Sequence, residues 1–86
     1  MQQKYAVKIY ERDDLKYQTE ITSEDIHEDM WDIISDAITA AYPDDNMSTP
    51  RDAHIDMAYE SAEFDECGFF GYFGLDDGCM IVATRV

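Results

Sequence analysis

Positive charge is scarce in this chain. Six of its 86 residues are Lys or Arg, against 20 Asp or Glu, for a formal net charge of −14. Lys4, Lys8, Arg12 and Lys16 crowd the first segment, and from Tyr17 to Thr84 the only cation besides histidine is Arg51. Nucleic acid and anionic membrane are therefore excluded as direct partners for most of the surface, because both would be repelled. Two cysteines, Cys67 and Cys79, are too few for a disulfide framework. They read as small buried hydrophobes in a reduced, cytoplasmic protein. No apolar run approaches the roughly 18 residues a membrane span needs. The opening "MQQKYAVKIY" alternates, so it lacks the apolar centre of a signal peptide. With two prolines, four glycines and no repeat, linker or low-complexity segment, residues 1–86 read as a single domain.

Chemical motifs are missing too. "DDNMSTPRD" has carboxylates but not the spacing of a calcium loop. "HEDMW" starts like a zincin helix and then places Trp31 where the second histidine belongs. Gly68, Gly71 and Gly74 run G-x-x-G-x-x-G, which is neither a dinucleotide fingerprint nor a phosphate loop. "CGFFGYFG" lacks the leading cation of an aromatic RNA-binding strand. Carboxylates occur throughout and so mark no acid–base pair. The expectation is a protein that is not an enzyme and carries no metal and no cofactor.

What the chain does have is enough apolar matter to fold, with 45% hydrophobic and 13% aromatic residues. Tyr5, Val7 and Ile9 alternate with Lys4, Ala6, Lys8 and Tyr10, and Leu15, Tyr17, Thr19 and Ile21 alternate after the turn "ERDD", which predicts a hairpin. "SEDIHEDMWDIISDAITAAY" predicts an amphipathic helix capped by Thr22 with Asp25 three residues on, and with Ile21 and Ile26 as a staple. Its buried stripe is Ile26, Met30, Ile33, Ile34, Ala37, Ile38 and Ala41, with Trp31 at the margin, and Pro43 ends it. Thr49-Pro50 with Asp52 resembles a helix start, but Ile55, Met57 and Tyr59 alternate, which favours a strand over 54–61. "GFFGYFG" and "CMIVATRV" predict a last hairpin about Asp77-Gly78, with Phe69 and Phe73 on one face and Phe70 and Tyr72 on the other. The fold expected is α+β: four to five antiparallel strands packed on one main helix, in the order β-β-α-β-β-β.

The helix carries Glu24, Asp25, Glu28, Asp29, Asp32 and Asp36 on its outer side with no Lys or Arg among them. Acids in the first turn gain about 0.3–1 kcal/mol each from the helix dipole. Like-charge neighbours one turn apart cost on the order of 1–3 kcal/mol in sum, so the row destabilises the free domain. One use accounts for this: a rod of carboxylates repeating every 5–6 Å or so is complementary to a groove of Lys and Arg built to hold phosphates. The expected binding residues are these six with Asp44 and Asp45. The expected partner is a basic nucleic-acid-binding protein rather than nucleic acid or membrane, with self-association of the chain left open. In charge and scale the chain resembles phage- and plasmid-borne DNA mimics of the anti-restriction, anti-CRISPR and glycosylase-inhibitor kinds, though it shares no motif with them. That resemblance implies an inhibitor acting in the host cytoplasm. Two other readings compete: an acidic surface that serves solubility in a salty cytoplasm, and an adaptor or oligomerising module that works through its aromatic strand.

Overall fold

The computed structural model describes residues 2–43, 51–74, 76 and 78–86. Its elements are β1 (Gln3–Glu11), β2 (Asp14–Ser23), α1 (Ile26–Ala41), α2 (Arg51–Ser61), β3 (Glu63–Asp65), β4 (Gly68–Phe73) and β5 (Cys79–Arg85). The five strands form one antiparallel sheet in the order β2-β1-β5-β4-β3, giving the α+β architecture that the alternation predicted. Both helices lie on the same side of the sheet, α1 against β1 and β2, and α2 against β4 and α1. Among the described residues nothing covers the sheet's other side.

Strand β1 buries Tyr5, Val7 and Ile9 and turns Ala6, Lys8 and Tyr10 to the open face, as period-two patterning requires. Arg12 takes a left-handed φ of 57° in the tight turn to β2. The second strand does not alternate uniformly. Its register shifts between Ile9 and Tyr10, so that Tyr17 opposes Ile9 while Leu15 opposes Tyr10. The extra residue in this bulge turns Leu15 to the open face, where it is 50% exposed, instead of onto the side of Tyr17, Thr19 and Ile21.

Helix α1 buries Met30, Ile33, Ile34, Ala37 and Ile38 against the sheet, and Ile26 and Ala41 pack at the edges of this core. Its cap differs from the expected one. Thr22 stays in β2 opposite Lys4, and Asp25 is the N-cap, accepting from the backbone N–H groups of His27 (3.0 Å) and Glu28 (3.4 Å). The strand's ladder thus takes Thr22, and the next good capping residue starts the helix. Ile26 becomes the first helical position rather than the fourth, so the staple with Ile21 does not form as expected. Tyr42 is the C-cap and Pro43 follows it.

Residues 54–61 are helix, not strand. In α2 the buried residues are His54, Ile55 and Ala58, while Met57 and Tyr59 remain about two-fifths exposed. The apparent alternation of Ile55, Met57 and Tyr59 misled because two of the three do not reach the core. Ala58 packs against β4 at Gly71, where an added Cβ would collide with the Ala58 carbonyl. The third strand is instead the short Glu63–Asp65, and the Ser61 hydroxyl extends that edge by accepting from Tyr72 N (2.7 Å) and donating to Tyr72 O (2.9 Å).

Phe69 and Phe73 are fully buried and Phe70 and Tyr72 face outward, as the pattern predicted. The β4–β5 register pairs Phe73 with Cys79, so residues 74–78 separate the strands rather than a two-residue turn at Asp77-Gly78. Left-handed backbone at Gly74 (φ 88°) and Asp76 (φ 57°) sets this wider loop. Cys79 is half-buried, whereas Cys67, expected inside, is exposed in the turn after β3.

Candidate functional site

The helical side of the molecule gathers the acids, and the fold sorts those expected to bind into three groups. Glu28, Asp32 and Asp36 are exposed and spaced four residues apart, so they stand in a column along the outside of α1 with a rise of about 6 Å between members. Glu24 is exposed in the approach to the helix. Asp25 and Asp29 have structural duties: the first caps the helix, and the second accepts a 2.6 Å hydrogen bond from the Ser23 hydroxyl. Asp44 and Asp45 lie outside the described residues.

A second column comes from the helix that the sequence pattern concealed. Asp52, Asp56 and Glu60 are exposed at the same four-residue spacing along the outside of α2. Their i,i+4 spacing was one available signal, and the other was the Thr49-Pro50 pair, outside the described residues, that precedes Asp52. Neither helix has a basic residue in its last turn, so Glu60 sits against the negative end of its own dipole.

The cations are placed elsewhere. Arg51 donates to the carbonyls of Tyr42 (2.8 Å) and Pro43 (3.1 Å), closing the end of α1 instead of facing a carboxylate. Lys16 lies over the Tyr42 ring, 5.5 Å from its centroid. Among the described residues the one ion pair is Lys4–Glu20 at 3.6 Å, and both partners are too exposed for it to add more than a small increment.

Between the columns runs the seam of the two helices, marked by Trp31 and Tyr59. Their rings meet edge-on with centroids 5.1 Å apart, and each is about two-fifths exposed. On the other flank of α1 a groove of about 320 Å³ runs along β2. Tyr17, Thr19, Ile21 and Ile33 form its floor, and Asp29, Asp32 and Asp36 its rim. This apolar floor beneath a carboxylate rim was not foreseen, because it arises where α1 leaves part of β2 uncovered. His27 stacks on Phe64 at 3.8 Å, tying β3 to the start of α1.

A half-buried polar cluster closes the far end. The Tyr42 hydroxyl and Cys79 sulfur are 3.9 Å apart. Burial first, then Cys79 and Glu11, holds the Tyr42 phenol well above its ordinary value. Burial likewise raises the Cys79 thiol, so it stays protonated and a poor nucleophile at neutral pH. Among the described residues no three His, Cys, Asp or Glu side chains converge as metal ligands, and no helix is long and apolar enough to cross a membrane. The site therefore offers ordered negative charge, exposed aromatic rings and an apolar groove, a set suited to Lys and Arg side chains. No protein-family model, no curated protein and no solved structure matches this chain.

Proposed function

We propose that the chain is an acidic inhibitor that occupies the basic, nucleic-acid-binding cleft of another protein. The observation that carries this reading is the pair of exposed carboxylate columns, Glu28/Asp32/Asp36 and Asp52/Asp56/Glu60, with no ion pair to any of them among the described residues. Each column repeats at about 6 Å, and helices in contact set such rows on the order of 10 Å apart, within the range of a nucleic-acid groove. Trp31 and Tyr59 add aromatic faces on which an arginine of the target stacks while a neighbouring carboxylate meets its charge. The groove beside α1 accepts the aliphatic stem of a lysine or arginine over Tyr17 and Ile21 and delivers its charged end to Asp32 or Asp36. Association is steered by charge and weakens as salt rises.

The test is capture of nucleic-acid-binding proteins from a host lysate on the immobilised chain, eluted along a salt gradient. Duplex DNA or RNA added in solution should compete for the same captured protein. The double variant Glu28→Lys/Asp32→Lys should bind it at least about 100-fold more weakly at low salt. Capture that is indifferent to nucleic acid, to salt and to this charge reversal would sink the reading.

A further inference from the structure

The open side of the sheet is unused by the inhibitor reading and unlike the rest of the surface. Register places Leu15, Tyr10, Met80 and Tyr72 in one row across β2, β1, β5 and β4, and Val82 and Phe70 beside them in the next. Leu15 and Tyr72 are 50% and 38% exposed, and Phe70 and Tyr72 meet edge-on with centroids 6.0 Å apart. We propose that this face is a self-association surface on which a second copy of the chain seats sheet against sheet as a two-fold dimer.

Charge selects the occupant. The open face of the three central strands bears no carboxylate, and its charged residues there are Lys4 and Lys8. Glu20, Glu63 and Asp65 stand on the outer strands β2 and β3. For a chain of net charge −14, this is the surface on which a like copy meets the least repulsion. Sheets stacked face to face lie about 10 Å apart, so two copies joined here hold their helical layers on opposite outer sides. The carboxylate columns of the two copies are then separated by roughly 30 Å, well beyond the Debye length of about 8 Å at physiological salt.

Strand order makes the face complementary to itself. A two-fold axis along the central strand β5 lays β1 of one copy over β4 of the other. Lys8 then approaches the Phe70 ring of the second copy, Tyr10 approaches its Tyr72, and Met80 and Val82 meet their own counterparts. The same axis lays β2 over β3 and sets Glu20 of one copy opposite Asp65 of the other on the wet rim, a like-charge contact that water, salt and the Lys4 partner of Glu20 screen. Four to five strands at about 4.8 Å spacing and five residues of length give a footprint of roughly 400 Å². Allowing for side-chain relief, the pair buries roughly 1,000–1,200 Å² in total, at the lower end of specific interfaces, so the dimer is expected at micromolar rather than nanomolar concentration.

Sedimentation equilibrium of the full chain tests this, with reductant present because Cys67 is exposed and would cross-link copies. The expected apparent mass climbs from 9.9 kDa toward twice that value over about 5–500 µM. Raising salt from about 50 to 500 mM should strengthen the dimer by screening the repulsion between the rim acids Glu20 and Asp65, opposite in sign to the salt effect on binding a basic target. Tyr72→Glu and, independently, Val82→Glu should weaken it at least about 10-fold with an unchanged circular dichroism spectrum. Tyr72 is exposed enough that its variant keeps the test usable if the Val82 variant unfolds. A chain that stays monomeric at both salts, or a dimer indifferent to Tyr72→Glu, overturns the proposal. The assay contains no target, so its outcome is independent of the inhibitor reading.

Discussion

The two sides of this sheet differ in the chemistry they present to water. The helical side carries two columns of three carboxylates, while Arg51 is engaged by carbonyls, Lys16 by an aromatic ring, and Lys4 and Lys8 lie on the opposite face. The open side carries aromatic and aliphatic residues around two lysines, with acids only at its edges. Random scatter of acids would have mixed these surfaces. Their separation means that self-repulsion is concentrated on one side, where it weakens the helices, while the other side remains approachable by another protein surface.

Three variants break or sharpen that contrast. The largest effect is expected from Gly71→Ala. The added methyl meets the Ala58 carbonyl, a backbone atom that cannot step aside without moving α2 from β4. The loss should be about 1–3 kcal/mol in denaturant unfolding. If α2 swings away, its column of acids is displaced while the column on α1 keeps its place.

Next comes the charge reversal Glu28→Lys/Asp32→Lys, now read as a change in folding. It turns several like-charge neighbours one turn apart into opposite-charge ones, so the free domain should gain about 0.5–1.5 kcal/mol at low salt. The same variant is expected to lose target binding. Stability and binding moving in opposite directions is the signature of acids retained for recognition, and a gain that survived at high salt would contradict the electrostatic origin.

The smallest effect is at Tyr42 and appears only in alkali. The unfolded chain releases the Cys79 and Tyr42 protons near their ordinary values of 9.0 and 10.0, while the folded chain holds both longer. Unfolding therefore releases protons above these values, and stability that is whole below pH 9.0 falls as pH rises past 9.0 and 10.0. Tyr42→Phe removes the phenol's share. The difference between its unfolding midpoint and that of the parent should narrow or reverse between about pH 8 and pH 11, and parallel pH profiles would refute the assignment.

Elements with strong local periodicity were legible in the residues. The stripe Met30, Ile33, Ile34, Ala37 and Ile38 is the buried face of α1, and Phe69 and Phe73 are separated from Phe70 and Tyr72 as alternation requires. Helix α2 was not legible, because its buried face is assembled from His54, Ile55 and Ala58, which barely contrast with their neighbours. With it went the second acid column, although Asp52, Asp56 and Glu60 are spaced for it. The N-cap shifted from Thr22 to Asp25 because β2 continues to Ser23 in its ladder with β1, a pairing decided by a distant segment.

By itself the sequence determined the class of fold, the main helix with its acidic outer side, and the division of aromatic residues in β4, since each follows from repeat spacings within a few neighbouring positions. Tertiary structure decided between the helix and the strand that the residues around 54–61 both allowed, and it alone decided that a bulge turns Leu15 outward and that both helices crowd one side and leave the other bare. These outcomes depend on which distant backbones pack closely, Ala58 on Gly71 and β1 between β2 and β5, and no spacing along the chain encodes such contacts.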